Sequence, residues 1–451
     1  MSTANQAQRA VRAVRAQLVY FTHDPARAYL DGTPGTVHHT DGIVAFESTG
    51  NGGNGRIVAV GDYAKVAPTL PPGTPIEDLR DKVVTPGFID THIHYPQTDM
   101  IASPAPGLLP WLEKYTFPTE RRFENPEYAA DVAQFFLDEL LRVGTTSALV
   151  YCTVHPGSAD AFFKASDARN LRMVAGKVMM DRNCPEFLRD TPERGALESE
   201  ALIQRWHNKG RQLYALTPRF APTSSDAQLG VCGELAQQYE DVFIQSHVAE
   251  NTDEVEWVRS LFPAHRSYLD VYDHYKLLRK RAVYGHCIWL DEHDRRRMFE
   301  TGAVAAHCPT SNQFLGSGLF DFAAAEATRM PVALATDVGG GSTFSMLQTM
   351  NEAHKVARLS GYHLSAERMF YLATEGAAHA LDLHGTIGTL AVGAEADFVV
   401  LDPKATPLLA RRTALAESLE ELLFAFAMLG DDRAVAATYA AGKPVHRRTA
   451  H

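Results

Sequence analysis

The feature that most constrains this chain is a regular alternation of short apolar segments with longer stretches of helical periodicity, running from residue 86 to residue 384. Strands that alternate with helices indicate parallel βα units, and eight such strands close a (β/α)8 barrel. We therefore predict an α/β fold with a TIM-type (β/α)8 barrel domain at residues 86–384. The predicted strands are residues 88–94, 145–152, 172–180, 213–220, 242–248, 282–287, 303–308 and 331–337.

The two ends of the chain have a different pattern. Residues 1–85 contain short valine-rich segments separated by glycine, asparagine and proline, with a glycine-rich loop at residues 48–55. Residues 385–451 return to short strands and turns. Such segments are typical of antiparallel β structure. We expect residues 1–85 and 385–451 to form one small β-sandwich domain together.

Composition narrows the class of partner. The chain has 451 residues and a formal net charge of -11, which argues against a nucleic-acid partner. Its five cysteines include no CxxC pair, which fits reduced thiols. No apolar run reaches the ~18 to 20 residues of a membrane span. We expect a cytoplasmic protein whose partner is a small molecule, with neither nucleic acid nor membrane.

Metal-capable side chains stand at the ends of four predicted strands. His92 and His94 occupy alternate positions of the first strand, so both imidazoles leave the same face. His247 ends the fifth strand, His286 the sixth and Asp337 the eighth. Barrel active sites are built at the C-terminal ends of the strands, so these five side chains should converge. The pattern predicts a binding site for a divalent metal.

Glu250 adds a proton-transfer group to this predicted metal site. It lies three residues beyond His247, in the string HVAE, close enough in sequence to lie over a water at the metal. A divalent metal lowers the pKa of such a water and supplies hydroxide near pH 7. A carboxylate can carry the proton of that water to a substrate nitrogen. These residues therefore predict a hydrolytic enzyme.

Longer strings around these residues resemble a known family. PGFIDTHIH, SHVAE, GHC, AHCPTSN and ATDVGGG together resemble the amidohydrolase superfamily. Further strings are similar to the guanine deaminases within it, namely PWLEKYTFPTERRF, GKVMMD, TPRF and LGDDR. These strings occur in the same order over nearly the whole chain. The resemblance implies zinc-dependent hydrolytic deamination of guanine to xanthine and ammonia, a step of guanine catabolism.

The resemblance also assigns roles to individual residues. His286 would be either a longer fifth metal ligand or a hydrogen-bond donor to the water. Asp337 would accept a proton from the water, and Glu250 would deliver it to the ring nitrogen and then to departing ammonia. The implied ligands of the single zinc are His92, His94, His247 and Asp337. The implied substrate-binding residues are His94, Gln97, Arg219, Phe220, His247, Glu250 and Asp337.

The chemistry of the implied recognition residues is suitable for a purine. Gln97 and Arg219 can meet its carbonyl and ring-nitrogen edges, and Phe220 offers a face for stacking. The resemblance further implies a homodimer. An aromatic segment at residues 111–117 lies beside the site in sequence and could close over the purine.

Three alternatives remain at this point. The metal core alone does not select the substrate, so the chain could deaminate another heterocycle, such as 8-oxoguanine, an adenine derivative, a pterin or a triazine. Lys177 lies near a strand end and could be carboxylated, bridging two metals. The fold could also serve as a binding scaffold without catalysis.

Overall fold

A computed structural model of the chain describes residues 11–27, 34–47 and 55–449. These residues form a parallel barrel and a separate sheet built from both chain ends. The predicted loop at residues 48–55 lies, except for its last residue, outside the described residues. The strands are β1 Val11–Phe21, β2 Thr36–Glu47, β3 Ile57–Asp62, β4 Ile76–Pro86, β5 Phe88–His94, β6 Thr145–Tyr151, β7 Arg172–Gly176, β8 Val178–Met179, β9 Gln212–Pro218, β10 Phe243–Val248, β11 Ala282–His286, β12 Val304–His307, β13 Val332–Leu334, β14 Phe398–Leu401, β15 Val435–Ala440 and β16 Lys443–Arg447.

Helices lie between the barrel strands, and polar caps start several of them. The side chains of Asn125 and Thr191 accept hydrogen bonds from first-turn amides of the helices Pro126–Arg142 and Pro192–Trp206. The other α-helices are Tyr63–Val66, Leu108–Trp111, Phe117–Arg121, Pro156–Ala168, Asp226–Gln238, Thr252–Leu261, Tyr268–His274, Glu292–Thr301, Pro309–Phe314, Phe322–Ala327, Met346–Leu359, Ala366–Leu372, Glu375–Ala380, Pro407–Thr413 and Leu419–Leu429.

The barrel contains all eight predicted strands, so the predicted fold class is confirmed. Parallel pairing runs in the order β5, β6, β7, β9, β10, β11, β12, β13. The third predicted strand is split at Lys177, and its second part, β8, pairs with β9. The eighth predicted strand is shorter than expected, because β13 ends at Leu334 and leaves Asp337 in the segment that follows.

Apolar side chains fill the amino-terminal end of the barrel interior. Alternate strand residues such as Leu149, Val174 and Phe243 form a buried apolar cluster inside the barrel. Ala377 and Ala378 of the helix Glu375–Ala380 belong to the same cluster. This packing closes the amino-terminal end, which leaves the carboxyl-terminal ends of the strands to carry polar side chains.

The seam between the first and last barrel strands is joined differently from the other strand pairs. Each barrel strand pairs with its neighbours in the order from β13 to β5, but β13 and β5 form no ladder with each other. Instead, the Thr91 hydroxyl donates to the carbonyl of Leu334 at 3.0 Å. The amide of Asp337 donates to the carbonyl of His92 at 2.9 Å. Two metal-capable residues therefore meet directly at this seam.

The second sheet contains strands from both ends of the chain, in the order β16, β15, β14, β4, β1, β2, β3. Phe46 on β2 packs against Phe398 on β14 and Tyr439 on β15, with ring centroids 5.4 and 6.1 Å apart. Because β2 and β14 are separated by two strands, this contact requires the sheet to fold over itself. The result is the predicted sandwich, with a shared apolar core.

A buried ion network ties the barrel to this sheet. Arg211, immediately before β9, is fully buried and donates to Glu395 at 2.6 Å and to Asp397. Arg172 at the start of β7 also pairs with Glu395. The two barrel cations therefore neutralise the two carboxylates that precede β14.

The C-terminal residues include helices that the sequence patterns did not reveal. The Asn351 side chain on the helix Met346–Leu359 donates to the carbonyl of Met428 at 3.0 Å. The helix Leu419–Leu429 thus packs on the barrel, although it lies in residues 385–451.

The proposed domain divisions at 85/86 and 384/385 stay predictions. Among the described residues, no helix is long and apolar enough to cross a membrane.

Candidate active site

Five polar side chains meet at the carboxyl-terminal ends of the barrel strands. His92 and His94 come from β5, His247 from β10 and His286 from β11, while Asp337 follows β13. The ligand atoms of all except His94 lie within 4.8 Å of one another. His94 adjoins them, with its Nε2 atom 3.2 Å from Nε2 of His247 and 3.3 Å from Oδ1 of Asp337. The structure therefore brings together all five residues that the sequence proposes as ligands.

The spacing of these atoms fits a divalent metal. Nε2 of His92 lies 3.3 Å from Nε2 of His94 and 3.4 Å from Oδ1 of Asp337. Ligand atoms at about 2.0–2.1 Å from a tetrahedral zinc stand about 3.3 Å apart. Several imidazole nitrogens facing one another cannot all be satisfied by mutual hydrogen bonds, whereas one cation accepts all their lone pairs. The donor set is one that zinc and related ions prefer.

Two imidazoles are held in the tautomer that metal binding needs. Nδ1 of His247 donates to the backbone carbonyl of Arg219 at 2.6 Å. Nδ1 of His286 donates to Oδ1 of Asn312 at 2.8 Å. Each ring therefore turns the lone pair of its Nε2 atom towards the cluster.

Burial also sets the protonation states. It lowers the pKa of His94 to about 3 and the pKa of His247 well below its usual value. Burial opposes ionisation of Asp337, but His92 and His94 outweigh it and hold the pKa of that carboxyl well below its usual range. Neutral imidazoles beside an ionised carboxylate are the forms that bind a cation.

The backbone at the site is strained. His286 and Asp337 have φ values of 74° and 51°, in the left-handed region. Such conformations cost about 1–3 kcal/mol each for residues other than glycine. Next to His286, Gly285 has no room for a side chain, since a Cβ atom there would lie 2.5 Å from Cε1 of His92. The ring of His92 therefore packs directly on the backbone of β11.

Glu250 lies beside the metal-capable cluster. Its Oε1 atom accepts a hydrogen bond from the Ser317 hydroxyl at 2.8 Å, and its Oε2 atom lies 3.3 Å from Nε2 of His286. Burial, with the nearby charge of Asp337, raises the pKa of Glu250 to about 8, against the effect of Ser317. A carboxyl group that titrates near neutral pH can both give and take a proton.

The predicted recognition residues border the same cavity as the metal-capable cluster. Phe220 stands edge-on to His247, with ring centroids 6.5 Å apart. The helical segment after residue 107 contributes apolar side chains, including Trp111 from the predicted lid. The cavity is lined by His94, Gln97, Leu108, Trp111, Leu112, Arg219, Phe220, His247, Glu250, His286, Leu315, Asp337 and Gly340.

Behind this cavity, the sequence analysis missed a buried carboxylate. Both oxygens of Glu120 lie 2.8 Å from Nη1 of Arg219, and Oε1 accepts from Nε2 of Gln97 at 3.3 Å. Glu120 lies within the string PTERRF, which contributed to the family resemblance but received no role. Asn312 and Ser317 were likewise assigned none, although Asn312 lies in the string HCPTSN.

Lys177 is not placed for a two-metal site. Its ammonium group is fully buried, pairs with Asp190 and lies 3.2 Å from Glu198. It does not border the cavity that contains the ligand cluster. The structure gives no support to a bridging carboxylated lysine.

A parallel eight-stranded barrel with metal-capable histidine and aspartate side chains at its carboxyl-terminal ends is typical of metal-dependent barrel hydrolases. Residues 83–445 match the model of the amidohydrolase family. The chain belongs to this family, whose members depend on metal, and it is a hydrolase that acts on C–N bonds.

Guanine deaminases from two organisms are similar to this chain over most of its length. The chain is 50% identical to the guanine deaminase of Escherichia coli over 394 residues, which cover 87% of this chain and 90% of that protein. The solved E. coli guanine deaminase superposes with a TM-score of 0.91 at 45% identity, covering 98% of this chain and 100% of that one. The guanine deaminase of C. acetobutylicum, solved with guanine bound in its active site, gives a TM-score of 0.85 at 27% identity, covering 97% and 100%.

Proposed function

We propose that this protein is a zinc-dependent guanine deaminase that converts guanine and water into xanthine and ammonia. One observation carries the proposal. The hydrogen-bond donors of Gln97 and Arg219 border the same buried cavity as the His/Asp cluster. The similarity to guanine deaminases over most of the chain supports the same activity.

We propose that one zinc ion per chain is held by His92, His94, His247 and Asp337, with His286 at the edge of the set. A bound divalent metal would supply an activated water at neutral pH. Asp337 is ionised and lies 3.7 Å from Nε2 of His286, so these two residues can accept or hold the hydrogens of that water.

Glu250 is proposed to move the protons. It gives a proton to the ring nitrogen beside the carbon that bears the amino group, which makes this carbon more electrophilic. Water adds to the carbon and gives up one proton, which passes through Glu250 to the amino group, and ammonia leaves. The added oxygen then loses its remaining proton to Glu250 and becomes a carbonyl oxygen of xanthine. The hydrogen bond from Ser317 keeps the carboxyl group turned towards the cavity.

The far edge of the purine is proposed to meet the donors of Arg219 and Gln97, while Phe220 contacts its face. Arginine and amide N–H groups match the carbonyl oxygen and ring nitrogen of guanine. A ring that lacks the carbonyl would leave these buried donors unpaired, at a cost of about 1–3 kcal/mol.

The test is a substrate panel with zinc-loaded protein. Ammonia release and xanthine formation are followed with guanine, and ammonia release alone with adenine, cytosine, 8-oxoguanine and a pterin. We expect guanine to react far faster than the others. If guanine is inert while another ring is deaminated, the metal chemistry stands but the substrate proposal is wrong.

We further propose a cytoplasmic homodimer. The free thiols of all five cysteines are buried, which suits a reducing compartment. Light scattering of the purified protein tests the oligomeric state, and cell fractionation tests the compartment.

A further inference from the structure

We infer that Glu120 is a positioning residue that fixes the hydrogen-bond donors of the substrate wall and so determines selectivity for a ring with a carbonyl group. The inference rests on the proposed function. Glu120 does not border the cavity, and it acts only through Arg219 and Gln97.

The first step concerns Arg219, whose side chain is 3% exposed. Only its Nη1 nitrogen contacts Glu120, at 2.8 Å from both carboxylate oxygens. Nε and Nη2 donate to no acceptor among the described residues. A guanidinium group carries five N–H donors, so this arrangement leaves donors free on a residue that borders the cavity.

The second step concerns Gln97, whose amide orientation is determined at both ends. Its Oε1 atom accepts from the amide of Gly339 at 3.1 Å, and its Nε2 atom donates to Glu120 at 3.3 Å. A flipped amide would place N–H against N–H and oxygen against carboxylate. The second N–H of Nε2 therefore remains as a donor, and the Gln97 oxygen is already engaged.

Together these contacts give the wall free donors from both side chains. Such a wall matches the carbonyl oxygen of a 6-oxopurine, which accepts hydrogen bonds, whereas an amino group at the same position would place donor against donor. Glu120 also neutralises Arg219, whose buried charge would otherwise be unpaired. Without the carboxylate, the guanidinium and the amide would lose their common anchor.

The main test replaces Glu120 by glutamine and compares guanine with 2-aminopurine, which lacks the carbonyl. For Glu120→Gln we expect kcat/KM for guanine to fall about 10- to 100-fold, mainly through KM, because charge-assisted hydrogen bonds are weakened. For 2-aminopurine, as substrate or competitive inhibitor, we expect a change within about twofold. The selectivity ratio should therefore collapse while the zinc content is unchanged.

Matched variants separate this role from simple folding damage. Glu124→Gln makes the same change at an exposed position of the same segment and should leave both substrates unaffected. In an Arg219→Met background, Glu120→Gln should cause no further loss of selectivity. If Glu120→Gln does not fold, Glu120→Asp retains the charge and should give an intermediate ratio.

The outcomes distinguish the two proposals. An unchanged guanine-to-2-aminopurine ratio in a folded Glu120 variant overturns the positioning role, as does an equal loss for both compounds. If the unmodified protein does not deaminate guanine at all, the proposed function fails instead.

Discussion

Glu250 and the proposed metal ligands are neighbours with separable roles. The oxygens of Glu250 contact Ser317 and His286, and His286 stands at the edge of the proposed set of zinc ligands. Glu250→Gln keeps the size and the contact with Ser317 but cannot carry a proton. We expect kcat to fall about 10²- to 10⁴-fold, with the zinc content measured by mass spectrometry unchanged. Unchanged turnover would remove Glu250 from the mechanism.

Gly285 allows a second prediction at the scale of one residue. Gly285→Ala would press a methyl group into the ring of His92 and displace it. We expect weaker zinc binding in competition with a chromogenic chelator. The control is Gly230→Ala, because Gly230 lies in the helix Asp226–Gln238 with nothing within 4 Å of an added Cβ. Equal zinc affinity in the two variants would contradict the prediction.

The metal-capable residues can be found from the sequence, whereas Glu120 cannot. His247 and His286 stand at the ends of apolar strands, where strand order alone predicts convergence. Glu120 lies on a short helix 99 positions before Arg219, and no periodicity connects the two. Their meeting depends on how the segment after β5 packs over the barrel, which the sequence patterns do not encode locally.

Among the elements of the fold, the seam between β5 and β13 should gain the most stability from a bound metal. His92 and His94 lie on one side and Asp337 on the other, joined by few backbone hydrogen bonds. Removal of the metal should therefore speed hydrogen exchange of the Asp337 amide much more than that of the β10–β11 ladder. Mass spectrometry of chelated and zinc-loaded protein measures this difference, and uniform exchange would contradict it.

The elements themselves were well predicted where the pattern is long and regular. All eight barrel strands were recognised, because buried parallel strands are continuous apolar runs. The break at Lys177 was not, since apolar residues flank the lysine on both sides and its partners Asp190 and Glu198 are not evident from the local sequence. The helix Leu419–Leu429 was also missed. Its apolar run does not show a helical pattern by itself, and the helix Met346–Leu359 on which it packs is distant in the sequence.

For the molecule as a whole, Arg211 links barrel and sandwich. Arg211→Met would leave Glu395 and Asp397 buried with less countercharge, although Arg172 still pairs with Glu395. We expect the free energy of unfolding to fall by about 3–5 kcal/mol in urea titrations. Arg296→Met removes the exposed ion pair with Glu292 and should change the free energy of unfolding very little. Similar midpoints for both variants would show that the network does not stabilise the fold.

The sandwich has a consequence for the order in which the protein is made. β4 is translated before the barrel, yet its neighbour β14 and the strands β15 and β16 are translated only after it. Throughout synthesis of the barrel, one edge of β4 must wait unpaired, and exposed strand edges invite pairing with other chains. A message truncated shortly before the codons for β14 would therefore yield a chain with nearly all of the barrel residues and an unpaired edge on β4.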